Sequence, residues 1–380
     1  MPGNMAVDIH RHRQAGNMGG HFFNLDFQCG GFTAKALRPN TEGIDFLQKL
    51  LLQPAVILLR VIFIQRSQQR LFCKVGCLVK CAADTHTNYN WWAWICACKF
   101  YSFYDELLPL VEEKGVQLRC TAAVGGGIGW LSELERARRS QTIQKVGGIM
   151  NGTCNYILDS MTRLGLGYDE ALEQAQQLGY AEANPTTDVE GIDTWHKVIL
   201  SSNIAFGISV DHDTVPVTGI SQISAQDVQN FKDHGYVCKL VSTGILQEGK
   251  LSAFVQPTLF KQGDLEAAVP ANYNCITLVG SASGRMSFYG QGAGRYPTAY
   301  NVVQDCADLL AGKGFYSPYG GKVAAENDGE LSFYVRGAAW PEAAAETWGD
   351  AVITKPVAVS KIHAWRKENP DAFIAAMPAK

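Results

Sequence analysis

Between residues 182 and 197 the chain gathers the side chains best suited to chemistry. Glu182, Asp188, Glu190 and Asp193 follow one another through a short loop, and the run finishes at Lys197. A lysine that takes or gives a proton needs carboxylates nearby to hold its position and charge. Acidic loop residues also suit the hydroxyl and ammonium groups of an amino-acid-like substrate. Asp193 and Lys197 stand four apart, so one helical face carries both. As a surface ion pair they would contribute only about 0.3–0.5 kcal/mol. The helix continues through Val198, Ile199, Leu200, Ile204, Ala205 and Phe206, however, which marks it as a core element. A charged pair on such a helix must face a cleft or be specifically partnered. His196, beside the lysine, reads as an ordinary helix residue.

Several elements must position this group. Asn151 offers an N-cap for a helix over 154–164, and residues 168–178 read as a second amphipathic helix. There Ala171, Leu172, Ala175 and Leu178 share a face, and Gly179 stands at the C′ position. Strands are expected over 116–124, 142–150, 238–246, 251–259, 275–282 and 285–290, with helices over 105–115, 131–139 and 225–235. GGGIG at 125–129 and YGQGAGRYPTA at 289–299 are places where backbone comes close to something. The second runs into a helix over 297–312 with Pro297 near its start. A helix N-terminus there suits a phosphate or a carboxamide, and a tight strand-to-helix turn is the simpler alternative. The final sixty residues read as a small α+β tail, with the charges of 355–374 on a solvated helix face.

Composition bounds the rest. A chain of 380 residues with 47% hydrophobic content predicts two domains and a sizeable core. With 33 basic and 36 acidic side chains, net charge −3, it lacks the basic excess of a nucleic-acid surface. Eleven cysteines and no recognisable secretory signal predict reduced thiols and a cytoplasmic location. Cys73, Cys77 and Cys81 recur every four residues, yet Cys96 and Cys98 do not complete a zinc set, so packing is the expected role. The apolar run 50–64 is interrupted by Gln53, Pro54 and Arg60 and is too short to span a membrane. A buried strand over 55–64 is expected instead.

Four motifs in order, AAVGGGI (122–128), GIMNGTCNYIL (148–158), LGYAEANPTTDVEGID (178–193) followed by His196 and Lys197, and YGQGAGRYPTA (289–299), resemble the homoserine dehydrogenase family. The resemblance covers about residues 104–312. It implies an α/β chain: a Rossmann-like nucleotide domain joined to an α+β mixed-sheet domain that binds substrate and dimerises. It implies NAD(P)-dependent interconversion of L-homoserine and L-aspartate 4-semialdehyde in threonine, methionine and isoleucine biosynthesis. Under it Lys197 transfers the proton, Glu182, Asp188 and Asp193 bind substrate, and Gly179, Glu182 and Gly292 meet NADP or NAD. The backbone of Val124, Gly126 and Ile128 would hold a sodium ion. The implied domains are 1–122, completed by helix 297–312, then 123–296, then the tail 313–380. Homoserine, a homodimer or higher homo-oligomer, and neither nucleic acid nor membrane, are the implied partners.

The sequence also departs from that family. Residues 1–40 contain no glycine-rich phosphate fingerprint, since GNMGG at 16–20 is not GxGxxG. Thr121 stands where the family places the glutamate of its sodium site, and Gly129 where it has proline. These departures leave an alternative open. The chain could be a catalytically inactive homologue with a damaged or frameshifted cofactor domain, a dimeric homoserine-binding module.

Overall fold

The computed structural model describes residues 119–313 and 321–377. The expected strand over 55–64, the helix over 105–115, Cys73, Cys77, Cys81, Cys96 and Cys98, and most of the expected nucleotide domain lie outside those residues. No helix among the described residues is long and apolar enough to cross a membrane.

In chain order the elements that build the site are α1 (Trp130–Arg138), β1 (Ile143–Ile149), α2 (Gly152–Leu164), α3 (Tyr168–Gln177), the short α4 (Thr186–Val189) and α5 (Ile192–Phe206). A two-residue strand β2 (Ser209–Val210) and helix α6 (Ala225–Asp233) follow. Then come β3 (Tyr236–Gln247), β4 (Lys250–Lys261), β5 (Tyr273–Gly280), β6 (Gly284–Gln291) and α7 (Arg295–Leu310). Beyond residue 320 lie β7 (Lys322–Val323), β8 (Glu330–Arg336), β9 (Ala344–Trp348), β10 (Ala351–Thr354), β11 (Val357–Ala358), α8 (Val359–Glu368) and β12 (Phe373–Met377).

The main sheet runs β6-β5-β1-β3-β4-β12-β8-β10-β9, with β11 also paired to β8. Its pairings are antiparallel except β12 beside β4, so the sheet is mixed. The C-terminal segment therefore continues the same sheet: β12 inserts next to β4 with Ala376 opposite Thr258. β2 pairs β7 apart from this sheet.

Helices α2, α5 and α6 bury their apolar stripes on one sheet face. Ile157, Leu158, Met161, Val198, Ile199, Val228 and Phe231 pack there against Leu240, Val255 and Leu259. α1 closes a neighbouring core through Trp130, Leu131 and Leu134 against Leu200 and Ile204. The Trp130 indole, fully buried, donates to Ser201 Oγ at 2.9 Å, which satisfies its one N–H and pins α1 to α5.

Two expectations fail here. Residues 121–123 form a 3₁₀ turn and not the end of a strand. Asp305, distant in sequence, accepts from Thr121 N at 2.8 Å and from Thr121 Oγ1 at 2.5 Å, and Ala123 N donates to the Cys120 carbonyl at 2.8 Å, so these backbone donors are not available to a ladder. Leu178 is exposed, not aligned with the buried Ala171 and Ala175. It is the C-cap of α3, and Gly179 turns left-handed directly after it (φ +74°), which ends the helical period one residue early.

Candidate active site

Lys197 lies on the buried face of α5 and is 6% exposed. Its Nζ donates to Asp193 Oδ2 at 2.6 Å and to the carbonyl oxygen of Met150 at 2.9 Å. An ammonium has three donors, and the third is left for the cleft that Lys197 lines. Burying such a pair costs several kcal/mol per ion in desolvation unless further hydrogen bonds complete each partner. Met150 supplies one. Asn151 supplies another, its Nδ2 donating to Asp193 Oδ2 at 2.9 Å and to Asp188 Oδ1 at 2.7 Å.

Asn151 does this while its Oδ1 accepts from Cys154 N at 2.8 Å, capping α2. One amide thus starts a helix with its oxygen and bridges two carboxylates with its nitrogen. The capping role was readable from sequence. The bridging role was not, because any Ser, Thr or Asp could cap equally well and only the fold reveals what the NH₂ group faces.

Asp193 is 2% exposed, and its Oδ1 has no hydrogen-bond partner. An unpartnered buried carboxylate oxygen beside a lysine is a ready acceptor for a cationic or hydroxyl-bearing ligand. Asp188 is held above the ordinary carboxylate range, pushed up to about 7, first by burial and then by the Asp193 charge; the Asn151 bond and Lys197 pull it back. Partial burial also raises Glu182. Cys154 donates its thiol to the Asp188 carbonyl at 3.1 Å, and burial drives that thiol well above its usual range, so it is no nucleophile.

Asn151, Glu182, Asp188, Asp193 and Lys197 line one cleft of about 180 Å³ together with Tyr180, Thr187, Asn272, Gly292 and Ala293. Three carboxylates face one lysine there, which suits an ammonium-bearing substrate of amino-acid size. Of the residues expected from sequence, Lys197, Glu182, Asp188, Asp193 and Gly292 come together in this cleft. Glu190 and Gly179 are not among its lining residues. His196 rests edge-on to Trp195 with ring centroids 5.1 Å apart, and burial holds its imidazole down at about 4. Sequence reasoning missed Asn151 as a site residue, Asn272, and the Met150 carbonyl.

Gly292 marks where a cofactor ring could approach. A Cβ there would overlap the Asn274 carboxamide, which is buried with neither its nitrogen nor its oxygen partnered. The bare wall at Gly292 and Ala293 fits a flat polar ring in the cleft that Lys197 lines. The loop expected to hold sodium is different. Asn301, 2% exposed, donates its Nδ2 to Gly126 O at 2.5 Å and Ile128 O at 3.1 Å. Thr121 brings no charge, and its hydroxyl is bonded to Asp305. A cation does not fit there: two of the three expected carbonyls already accept from an amide, the expected glutamate is a neutral threonine, and the neighbouring Asp305 carboxylate is taken up by Thr121 and Arg119. No group of three or more His, Cys, Asp or Glu among the described residues could hold a metal ion.

Fold and site together define a mixed-sheet α/β architecture whose cleft is built around a buried lysine–aspartate pair. Residues 130–307 match the family model for homoserine dehydrogenase, and over that span the chain is similar to that family. It is 42% identical over 206 residues to the homoserine dehydrogenase of Bacillus subtilis, a match covering 54% of this chain and 48% of that one. The chain thus spans about half the length of the curated relatives it matches. Among solved structures it resembles a homoserine dehydrogenase from Thiobacillus denitrificans, with TM-score 0.64, 27% identity, and coverage of 74% of this chain and 75% of the other. A hyperthermophilic archaeal homoserine dehydrogenase mutant solved with NADPH shares the fold at TM-score 0.50 and 22% identity, over 58% of this chain and 63% of that one.

Proposed function

We propose that this protein interconverts L-homoserine and L-aspartate 4-semialdehyde, an oxidoreduction that feeds threonine, methionine and isoleucine biosynthesis. The observation that carries the reading is Lys197, held by Asp193 and the Met150 carbonyl with one donor left for the cleft. In the reductive direction Lys197 gives a proton to the aldehyde oxygen as that carbon gains hydride. In the oxidative direction it takes the proton back from the homoserine hydroxyl. Asp193 Oδ1 and the Glu182 carboxylate accept from the substrate's ammonium and hydroxyl groups, and Asp188 supports them through the shared Asn151 amide. Fixing the substrate oxygen against a pre-placed donor makes the proton transfer effectively unimolecular.

NADP or NAD, when bound, supplies or accepts the hydride. Gly179, Glu182 and Gly292 would meet its nicotinamide end, and nothing bulky at Gly292 stands in its way. A homodimer and a cytoplasmic location belong to the same reading.

Purified protein titrated with NADPH tests it. The nucleotide's fluorescence is expected to change, and Lys197→Ala to lower kcat/KM for homoserine by about 100-fold or more, as lost acid–base catalysis does. No NADPH binding up to millimolar concentration, or full turnover in Lys197→Ala, would overturn the proposal. Homoserine protecting a nucleotide-blind protein against unfolding would then establish the inactive binding module in its place.

A further inference from the structure

The loop 124–128 and helix α7 carry an arrangement that the proposed reaction does not use. Asn301 and Asp305 lie one turn apart on α7, on one helical face. Asp305 grips the start of the loop through Thr121 N and Oγ1. Asn301 grips its far end through Gly126 O and Ile128 O. Gly126 is left-handed (φ +48°) and packs so closely on Gly292 that a Cβ would collide with the Gly292 carbonyl. Gly292 in turn lines the cleft beside Lys197. A chain of direct contacts therefore runs from Asn301 to a wall of the candidate active site.

In this family resemblance the same carbonyls, with a glutamate, would surround a monovalent cation. Converging carbonyl oxygens repel one another and need a positive centre between them. Here the electropositive hydrogens of a neutral amide supply that centre, and the glutamate is replaced by Thr121. A cation needs the anionic ligand to offset its dehydration. An amide does not, so the two replacements are consistent with each other.

We propose that the Asn301 carboxamide is a built-in substitute for a bound monovalent cation, holding the Gly126–Ile128 loop, and through it Gly292, without metal. Asn301 is a positioning residue under this proposal. It rests on the resemblance of the loop, AAVGGGI at 122–128, to that family and not on the catalytic reading, so a protein without turnover would still answer the test.

The test compares thermal unfolding of the full chain in NaCl, KCl and choline chloride at equal ionic strength. The wild-type midpoint is expected to be the same in all three. Asn301→Ala is expected to melt lower in choline chloride by roughly 3–6 °C, as loss of two buried hydrogen bonds implies. It is also expected to recover with rising sodium along a saturable curve, because the vacated carbonyls again need a positive centre. A sodium- or potassium-specific rise in the wild-type midpoint overturns the proposal. So does an Asn301→Ala midpoint equal to wild type, or one that is lower but blind to sodium, since the amide would then be an ordinary tie. Should Asn301→Ala fail to fold, ²³Na line broadening on the wild type decides alone: broadening displaced by potassium overturns the proposal, and none supports it.

Discussion

Replacing Asn151 by alanine strikes a side chain that serves both the fold and the candidate site. Its oxygen caps α2 through Cys154 N, and losing such a cap costs about 1 kcal/mol. Its nitrogen bridges Asp188 and Asp193. Hydrogen bonds to charged groups contribute about 1.5–3 kcal/mol each, but the two do not count equally. Asp188 is partly exposed and water can replace its donor, whereas Asp193 is 2% exposed and is left short of a partner. Counting the cap and the Asp193 bond gives a loss of about 3 kcal/mol for Asn151→Ala. Asn151→Ser keeps a capping oxygen and should lose about 2 kcal/mol. Urea unfolding at constant m separates the two. A second readout follows from electrostatics. The Asn151 bond opposes the burial that raises Asp188, so without it Asp188 protonates at still higher pH. A protonated Asp188 weakens ammonium binding, so the pH below which KM for homoserine climbs should move upward in both variants. Wild-type stability in Asn151→Ser, or an unmoved pH profile, would refute the reasoning.

Two further outcomes follow from the same geometry. The Asp188 carboxyl titrates near 7 in the fold against an ordinary value of 3.8, so between those pH values the folded state holds a proton that the unfolded state has lost. Stability therefore falls as pH rises through that window. Asp188→Asn should remove the slope, gaining about 1–2 kcal/mol at pH 8, after allowance for water at the cleft rim, and nothing at about pH 3; parallel pH curves for the two proteins in urea unfolding would contradict this. Gly292→Ala would drive a methyl into the Asn274 carboxamide, costing about 1–3 kcal/mol as overpacking does and raising KM for homoserine. Unchanged stability and KM would show that this wall is slack.

The candidate site was legible where its parts are close in sequence. Glu182, Asp188, Asp193 and Lys197 arrive from one loop and one helix, so their spacing alone places the last two on a common face, and the helix's apolar run shows that this face is buried. Helix α2 was legible through its cap, and the amphipathic period of α3 through Ala171 and Ala175. The 3₁₀ turn at Thr121 was not, because the carboxylate that accepts from Thr121 lies on α7. The insertion of β12 beside β4 was equally hidden: Phe373–Met377 is a short, uniformly apolar run, which names neither a strand nor its partner.

Met150 is the sharpest case of what a sequence withholds. Every residue has a carbonyl, so nothing about methionine announces a lysine partner. The signal lies upstream, in Gly147 and Gly148. Both adopt positive φ inside β1 (+151° and +124°), and a Cβ on either would collide with the backbone of a neighbouring strand, at Ser242 on β3 or at Cys275 on β5. The glycine pair lets three strands close up at this point. That close approach sets where β1 ends, and Met150 and Asn151 emerge there facing α5. Side chains at 147 and 148 would push the strands apart and move the Met150 carbonyl away from Lys197 while every ionisable residue stayed in place. The chemistry of the cleft thus depends on two residues that have no chemistry of their own.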